Sequence, residues 1–253
     1  MKTALGSIAI GLAFLGIWQA VCAGGLISPL LLPSPLDTGR YLLDSIRDGL
    51  LPSALAVTLG RLVIGYALGL TLGWLMGLLL SVSALARGTL GLAALGLQTL
   101  PSVCWAPLAI LWFGQTEAAM YFVVVMGSTW AMAMATENAV RSVPPIYVKA
   151  ARVMGSKGGH TWRTVILPAA LPGMLAGAKL GWAFAWRSLM AAEIYVTIIG
   201  RFGIGQLLHF GRELNAMDQV MAVMVVIVAV GLIADRLIFL PTENYLRRTR
   251  GLS

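Results

Sequence analysis

The chain has 253 residues, 58% of them apolar and 11% charged, with a formal net charge of +8. A soluble domain is about one quarter charged; this chain lacks the polar side chains to cover a water-soluble globule, which excludes that class. The positive charge is gathered in particular loops, which argues against nucleic-acid binding and for the charge bias that orients a membrane protein.

Lys2 is the one early charge before an uncharged run to Leu36. That run is too long for the apolar core of a cleaved signal peptide. Gln19, Ala20 and Val21 ahead of Cys22 do not form a lipoprotein cleavage site. A retained first span is expected over residues 5–26. Pro29, Pro33 and Pro35 then break the helix. Residues 37–51 mix charge with Tyr41, Leu42, Leu43 and Ile46, the pattern of a short amphipathic helix at the interface.

A second span is expected over residues 53–82, rich in glycine at positions 60, 65, 69, 73 and 77. From Gly65 onward the spacing is four, so these glycines share one helix face and admit a close neighbour. Arg61, near the outer end, either snorkels or lines an aqueous path. After a short turn at Arg87, a third span is expected over 90–113. Pro101 and Pro107 interrupt a regular helix there. At membrane depth such breaks are tolerated only against protein or a water-filled cavity, which makes Gln98, Ser102 and Trp105 candidates for lining a path. The alternative is a kinked helix with purely structural prolines.

A fourth span is expected over 118–140, carrying Trp130 and, near its inner end, Glu137 and Asn138. A fifth, over 171–199, contains Lys179, Arg187 and Glu193. Charge within a span costs about 2.5–3.5 kcal/mol on insertion scales, which marks Arg187 and Glu193 as path candidates. Six residues apart, they lie on different helix faces and do not pair with each other. The alternative is a structural ion pair or a snorkelling pair near the outer interface. Trp105, Trp130 and Trp186 suit the wall of a path, although tryptophan also favours membrane interfaces. A connector over 200–218 leads to a sixth span over 219–240 and a tail with Arg247, Arg248 and Arg250.

Six spans place both termini on one side, and the chain reads as a single transmembrane domain over 1–253. Put inside, that side collects Lys2, Arg87, Arg141, Lys149, Arg152, Lys157, Arg163, Arg236 and the three tail arginines. The outer segments then hold only Arg40, Arg47, Arg201 and Arg212. The bias orients the termini to the cytoplasm.

The loop over 143–170 is the one long polar interruption between spans, and it has no acidic residue. Pro144 and Pro145 suit a helix start. Residues 146–154 read as a short helix, with small Ala150 and Ala151 suited to close contact with a partner, and Gly155 suits its end. Enzyme signatures are missing: there is no His-Glu-x-x-His, no Gly-x-Ser-x-Gly and no paired aspartates. Residues 155–159, Gly-Ser-Lys-Gly-Gly, do not meet the order of a phosphate-binding loop, so ATP binding is not expected of this chain. His160 and His209 are the only imidazoles and show no metal-ligand spacing. Cys22 and Cys104, in apolar runs, read as small buried apolar residues.

The pattern Ala150-Ala151, Gly155, Ile166-Leu167-Pro168 resembles the signature loop of ABC-importer permeases. That loop, the run LAILWFG at 108–114, Ala191-Ala192-Glu193 and Gly203-Ile204-Gly205 most resemble the nitrate/sulfonate/taurine branch, which includes bicarbonate permeases. The resemblance covers nearly all of residues 50–250, with the motifs in order. Two departures stand out. Lys149 occupies the family's glutamate position, and Leu167-Pro168 follows Val165-Ile166 without the usual intervening residue.

The resemblance implies an all-α membrane protein, a type I permease with about six spans, cytoplasmic termini and a cytoplasmic coupling helix between spans four and five. Pro145, Tyr147, Lys149, Ala150, Ala151, Arg152, Met154 and Gly155 would form that helix and seat in an ATPase subunit. It further implies a second permease chain as a homodimer, two ATP-binding cassette subunits, an extracytoplasmic solute-binding protein and a bacterial inner-membrane location. The chain itself would be non-catalytic and bind no cofactor, with ATP and Mg used by the ATPase. The implied solute is a small oxyanion or organosulfur compound. The alternatives are a heterocyclic vitamin precursor or a stand-alone secondary carrier; the latter leaves the patterned loop unexplained.

Overall fold

The structure, a computed structural model, describes residues 2–249 except Leu26 and Pro29, with backbone alone at residues 2–5, 7 and 8. The helix-breaking role expected of Pro29 and the inner charge of Arg250 lie outside the described residues. Every regular element among them is helical. Helix α1 is Lys2–Ala23, α2 Pro35–Arg47 and α3 Leu50–Val82. Helices α4, Ala84–Thr99, and α5, Ser102–Phe113, form a bent pair, followed by α6, Glu117–Arg141. Then come α7, Pro145–Val153, α8, Gly159–Tyr195, α9, Ile204–Glu213, and α10, Met217–Thr249.

Among the described residues, four helices are long and apolar enough to cross a membrane: α3, α6, α8 and α10. The α4–α5 pair makes a fifth crossing where it is counted as one. Within α1 the apolar stretch is the shorter Ala9–Ala23. The third span expected over 90–113 is two helices bent by 99°, interrupted as expected at Pro101 but not at Pro107. Pro101 causes the break: it lacks an N–H and pushes Leu100 into extended backbone. Pro107 breaks nothing, because it falls in the first turn of the α-helical part of α5, where the missing N–H has no partner to lose.

Three further boundaries differ from expectation. Helix α8 begins at Gly159, so the chain is helical again well before residue 171. Helix α10 runs to Thr249, making most of the expected tail helical. The connector over 200–218 contains α9. One turn of each long helix, Trp162–Ile166 in α8 and Asp235–Phe239 in α10, is wound as a π-helix. Each lies immediately upstream of a proline (Pro168, Pro241), whose ring displaces the preceding turn's carbonyl.

Two compact units divide the chain, 1–58 with 199–230 and 59–198 with 231–253. In the first, Trp18 Nε1 donates to the Pro33 carbonyl at 3.1 Å, fixing the turn before α2. Ser34 caps α2, accepting from the Asp37 N–H at 3.2 Å. Thr58 Oγ1 accepts the Ile204 N–H at 2.9 Å and Gln206 accepts that of Gly203 at 2.9 Å, which together satisfy the start of α9.

In the second unit α6 is the central helix, approached by α3 and α8 through small residues. A Cβ added at Gly65 would lie 2.8 Å from Val124, at Gly73 2.6 Å from the Thr129 carbonyl, and at Gly77 2.5 Å from that of Ala133. One at Gly69 would collide with Ser128. The glycine face predicted for α3 is thus the seat of α6. On the α8 side the same holds for Gly177 against Ala135 and Gly173 against Ala139. Met132, Val140, Ala170 and Met174 close the core, with Trp74 and Trp162 packed on it.

Candidate functional site

Helix α7 is built from local signals. Pro145 opens it, and Gly155 follows its end at φ +87°, a conformation that suits glycine. Ile146, Lys149, Ala150 and Val153 fall on one face by helical spacing, and all but Val148 and Ala151 of the helix are exposed. Val153 is 89% and Met154 81% exposed. Ala151 corrects the expectation of a partner contact: it is 3% exposed and packed within its own chain. Pro145, Tyr147, Lys149, Ala150, Arg152, Met154 and Gly155 remain on the surface. Ser156 and Thr161 hydroxyls bond at 2.9 Å and hold the turn into α8. Beside α7 lies a groove of about 580 Å³ between α6 and α8. It is lined by small residues such as Ala135, Ala139, Gly173 and Gly177, with Asn138, Ser142 and Tyr147 at its polar end.

At the C-terminal end of α6, Glu137 is buried between two arginines. Arg141 Nη1 donates to it at 2.8 Å and Arg87 Nε lies 3.3 Å away, tying the start of α4 to the end of α6 just ahead of α7. The sequence places Glu137 near the end of its span but carries no sign of the distant Arg87 as its partner.

The bend between α4 and α5 creates a second cavity, of about 320 Å³. Gln98, Ser102, Trp105, Trp130 and Arg187 all line it, as do Met126, Gly127 and Phe184. Five residues singled out as path candidates therefore meet around one space. Arg187 Nε donates to its own helix at the Ala183 carbonyl (2.9 Å), and its guanidinium lies 4.7 Å from the centre of the Phe184 ring. The Trp130 indole N–H is buried with no partner among the described residues. Phe122 packs edge-on against Trp105 and Trp112, at 6.2 and 5.6 Å between centroids, and anchors α5 on α6.

Glu193 does not join that cavity. It is 0% exposed and accepts from Arg61 Nη1 at 2.9 Å. Arg61, 2% exposed, also makes a two-pronged pair with Glu117, Nε to Oε2 at 2.8 Å and Nη2 to Oε1 at 2.9 Å. This corrects two expectations, Glu193 as a path residue and Arg61 as a snorkelling or path-lining one. Three helices, α3, α6 and α8, converge on this one guanidinium. Contacts 56 and 132 positions apart leave no local pattern in the sequence. Cys104 is exposed, contrary to the expectation of burial, and Cys22 is half-buried with its thiol facing the Leu32 and Pro33 carbonyls.

A comparison with protein families matches residues 69–240 to the binding-protein-dependent transport system inner membrane component model. The aliphatic sulfonates transport permease protein SsuC of Bacillus subtilis is 29% identical over 233 residues, 92% of this chain and 83% of that protein. The taurine transport system permease protein TauC of Escherichia coli is 28% identical over 236 residues, covering 91% and 84%. Among solved structures, a chain of the MetNI methionine ABC transporter in an inward-facing conformation superposes with a TM-score of 0.63 at 20% identity. That match covers 83% of this chain and 96% of the other, and it bears on the fold.

Proposed function

Because the chain belongs to the family of binding-protein-dependent transport system inner membrane components, we propose that it is the permease subunit of an ATP-driven importer for a small oxyanion or organosulfur compound. It is a transport permease of the inner membrane.

The observation that carries the drive mechanism is α7. An exposed apolar ridge, Ile146, Val153 and Met154, stands on a short helix stopped by a positive-φ glycine. Exposed apolar clusters of this kind mark interaction sites. Two ATP-binding cassette subunits take α7 from a pair of permease chains and hydrolyse ATP there with the help of Mg. About six crossings, counting α1 and the bent α4–α5 pair, put both termini and α7 in the cytoplasm. A push on α7 passes directly into α6 and α8, which flank it in sequence and line the groove beside it. An extracytoplasmic binding protein delivers the solute. The permeases for aliphatic sulfonates and taurine supply the solute class.

Co-purification tests the coupling. The chain is expected to bring down an ATPase subunit, and Val153→Glu with Ile146→Glu is expected to abolish that association. Undiminished association of the double variant contradicts the role given to α7.

A further inference from the structure

The cavity at the α4–α5 bend is chemically one-sided. Its charged group is Arg187; Gln98, Ser102 and the Trp130 indole supply further donors, and no carboxylate lines it. The acidic side chains of this unit are engaged elsewhere: Glu117 and Glu193 with Arg61, Glu137 with Arg87 and Arg141, Asp235 and Glu243 with Lys179. Arg187 is in none of these pairs, and among the described residues no carboxylate lies within 4 Å of it. Trp130 lines the cavity, and its indole N–H is buried with no partner among the described residues. A buried donor left unmatched is unfavourable, so a site of this kind is completed by an acceptor. Trp105, Trp130 and Phe184 make the rest of the wall aromatic.

Building on the permease reading above, we propose that this cavity is a binding station within the membrane for an organic oxyanion with a short apolar stem. The oxyanion head sits at Arg187 and the Trp130 N–H, with Gln98 and Ser102 completing its hydrogen bonds. The stem lies on the aromatic wall. A planar inorganic oxyanion without a stem gains only the polar half of the site.

Isothermal titration of the full chain in nanodiscs of zwitterionic lipid tests the station, with ethanesulfonate, nitrate and ethyl methyl sulfone as probes. Saturable binding of ethanesulfonate is expected, with nitrate weaker and the neutral sulfone absent. Arg187→Gln weakens ethanesulfonate about tenfold or more, while Arg187→Lys, which keeps the charge, loses less. Trp130→Phe removes one N–H and weakens binding roughly two- to tenfold. Three results overturn the proposal: no saturable binding by the wild type, equal binding of the sulfone, or unchanged affinity in Arg187→Gln. Displacement of ethanesulfonate by added phosphatidylglycerol, dependent on Arg187, assigns the cavity to a lipid headgroup and overturns it as well. ATP-driven import measured on the assembled transporter separates the two levels. Import with no binding at this cavity sinks the station alone, whereas no import sinks the permease reading on which it rests.

Discussion

Arg61 shows what single residues decide in this chain. Its guanidinium is shared by Glu117 and Glu193, with Glu193 fully buried. Removing one member of such a cluster leaves charge buried without a counter-charge, which costs about 3–5 kcal/mol. Arg61→Met is therefore expected to lower thermal stability in detergent by that order, and Arg61→Met with Glu193→Met to recover part of it. A single variant as stable as wild type contradicts the contact. Glycines give a sharper contrast within one helix. Gly73→Ala places a methyl against the Thr129 carbonyl, backbone that gives way poorly, and is expected to destabilise by about 1–3 kcal/mol. Gly60→Ala meets nothing within 4 Å and is expected to be neutral or to stabilise by up to about 1 kcal/mol. Paired thermal melts of the two variants check the difference.

At the scale of elements, what was legible in the sequence was local. Pro144-Pro145 and Gly155 delimit α7 within a residue or two, because start and stop signals act through neighbouring backbone. Pro101 marks the α4–α5 break for the same reason. Helix α9 stayed hidden as a connector. It is short, and its anchors, Thr58 Oγ1 and the Gln219 amide, come from α3 and α10. The candidate path residues were found individually from their chemistry. That Gln98, Ser102, Trp105, Trp130 and Arg187 share one cavity, and that Glu193 does not, depends on three-dimensional packing that no spacing encodes. Gly155 offers a test at this scale. Gly155→Val forces a β-branched side chain into φ +87°, a strain of about 1–3 kcal/mol. The end of α7 is expected to loosen, seen as faster amide exchange over residues 150–158. Exchange identical to wild type contradicts the glycine-stopped helix.

At the scale of the molecule, the number of crossings and the side on which α7 lies are linked. With termini inside, the α7–α8 turn faces the cytoplasm and the α9–α10 turn faces outward. In a background lacking Cys22 and Cys104, Ser156→Cys is expected to react with a membrane-impermeant maleimide only after the membrane is opened, and Asn215→Cys without opening. The reverse pattern inverts the topology and removes α7 from any cytoplasmic ATPase. The central claim is that ATP hydrolysis in a partner subunit moves solute through this chain by way of α7. The direct measurement is uptake of a labelled alkanesulfonate into proteoliposomes holding this chain with the ATPase subunit it co-purifies with, in the presence of the binding protein. The account predicts uptake that requires ATP and is lost in the Ile146→Glu, Val153→Glu variant although that variant still inserts in the membrane. Uptake that proceeds without ATP, or that the variant leaves intact, contradicts it.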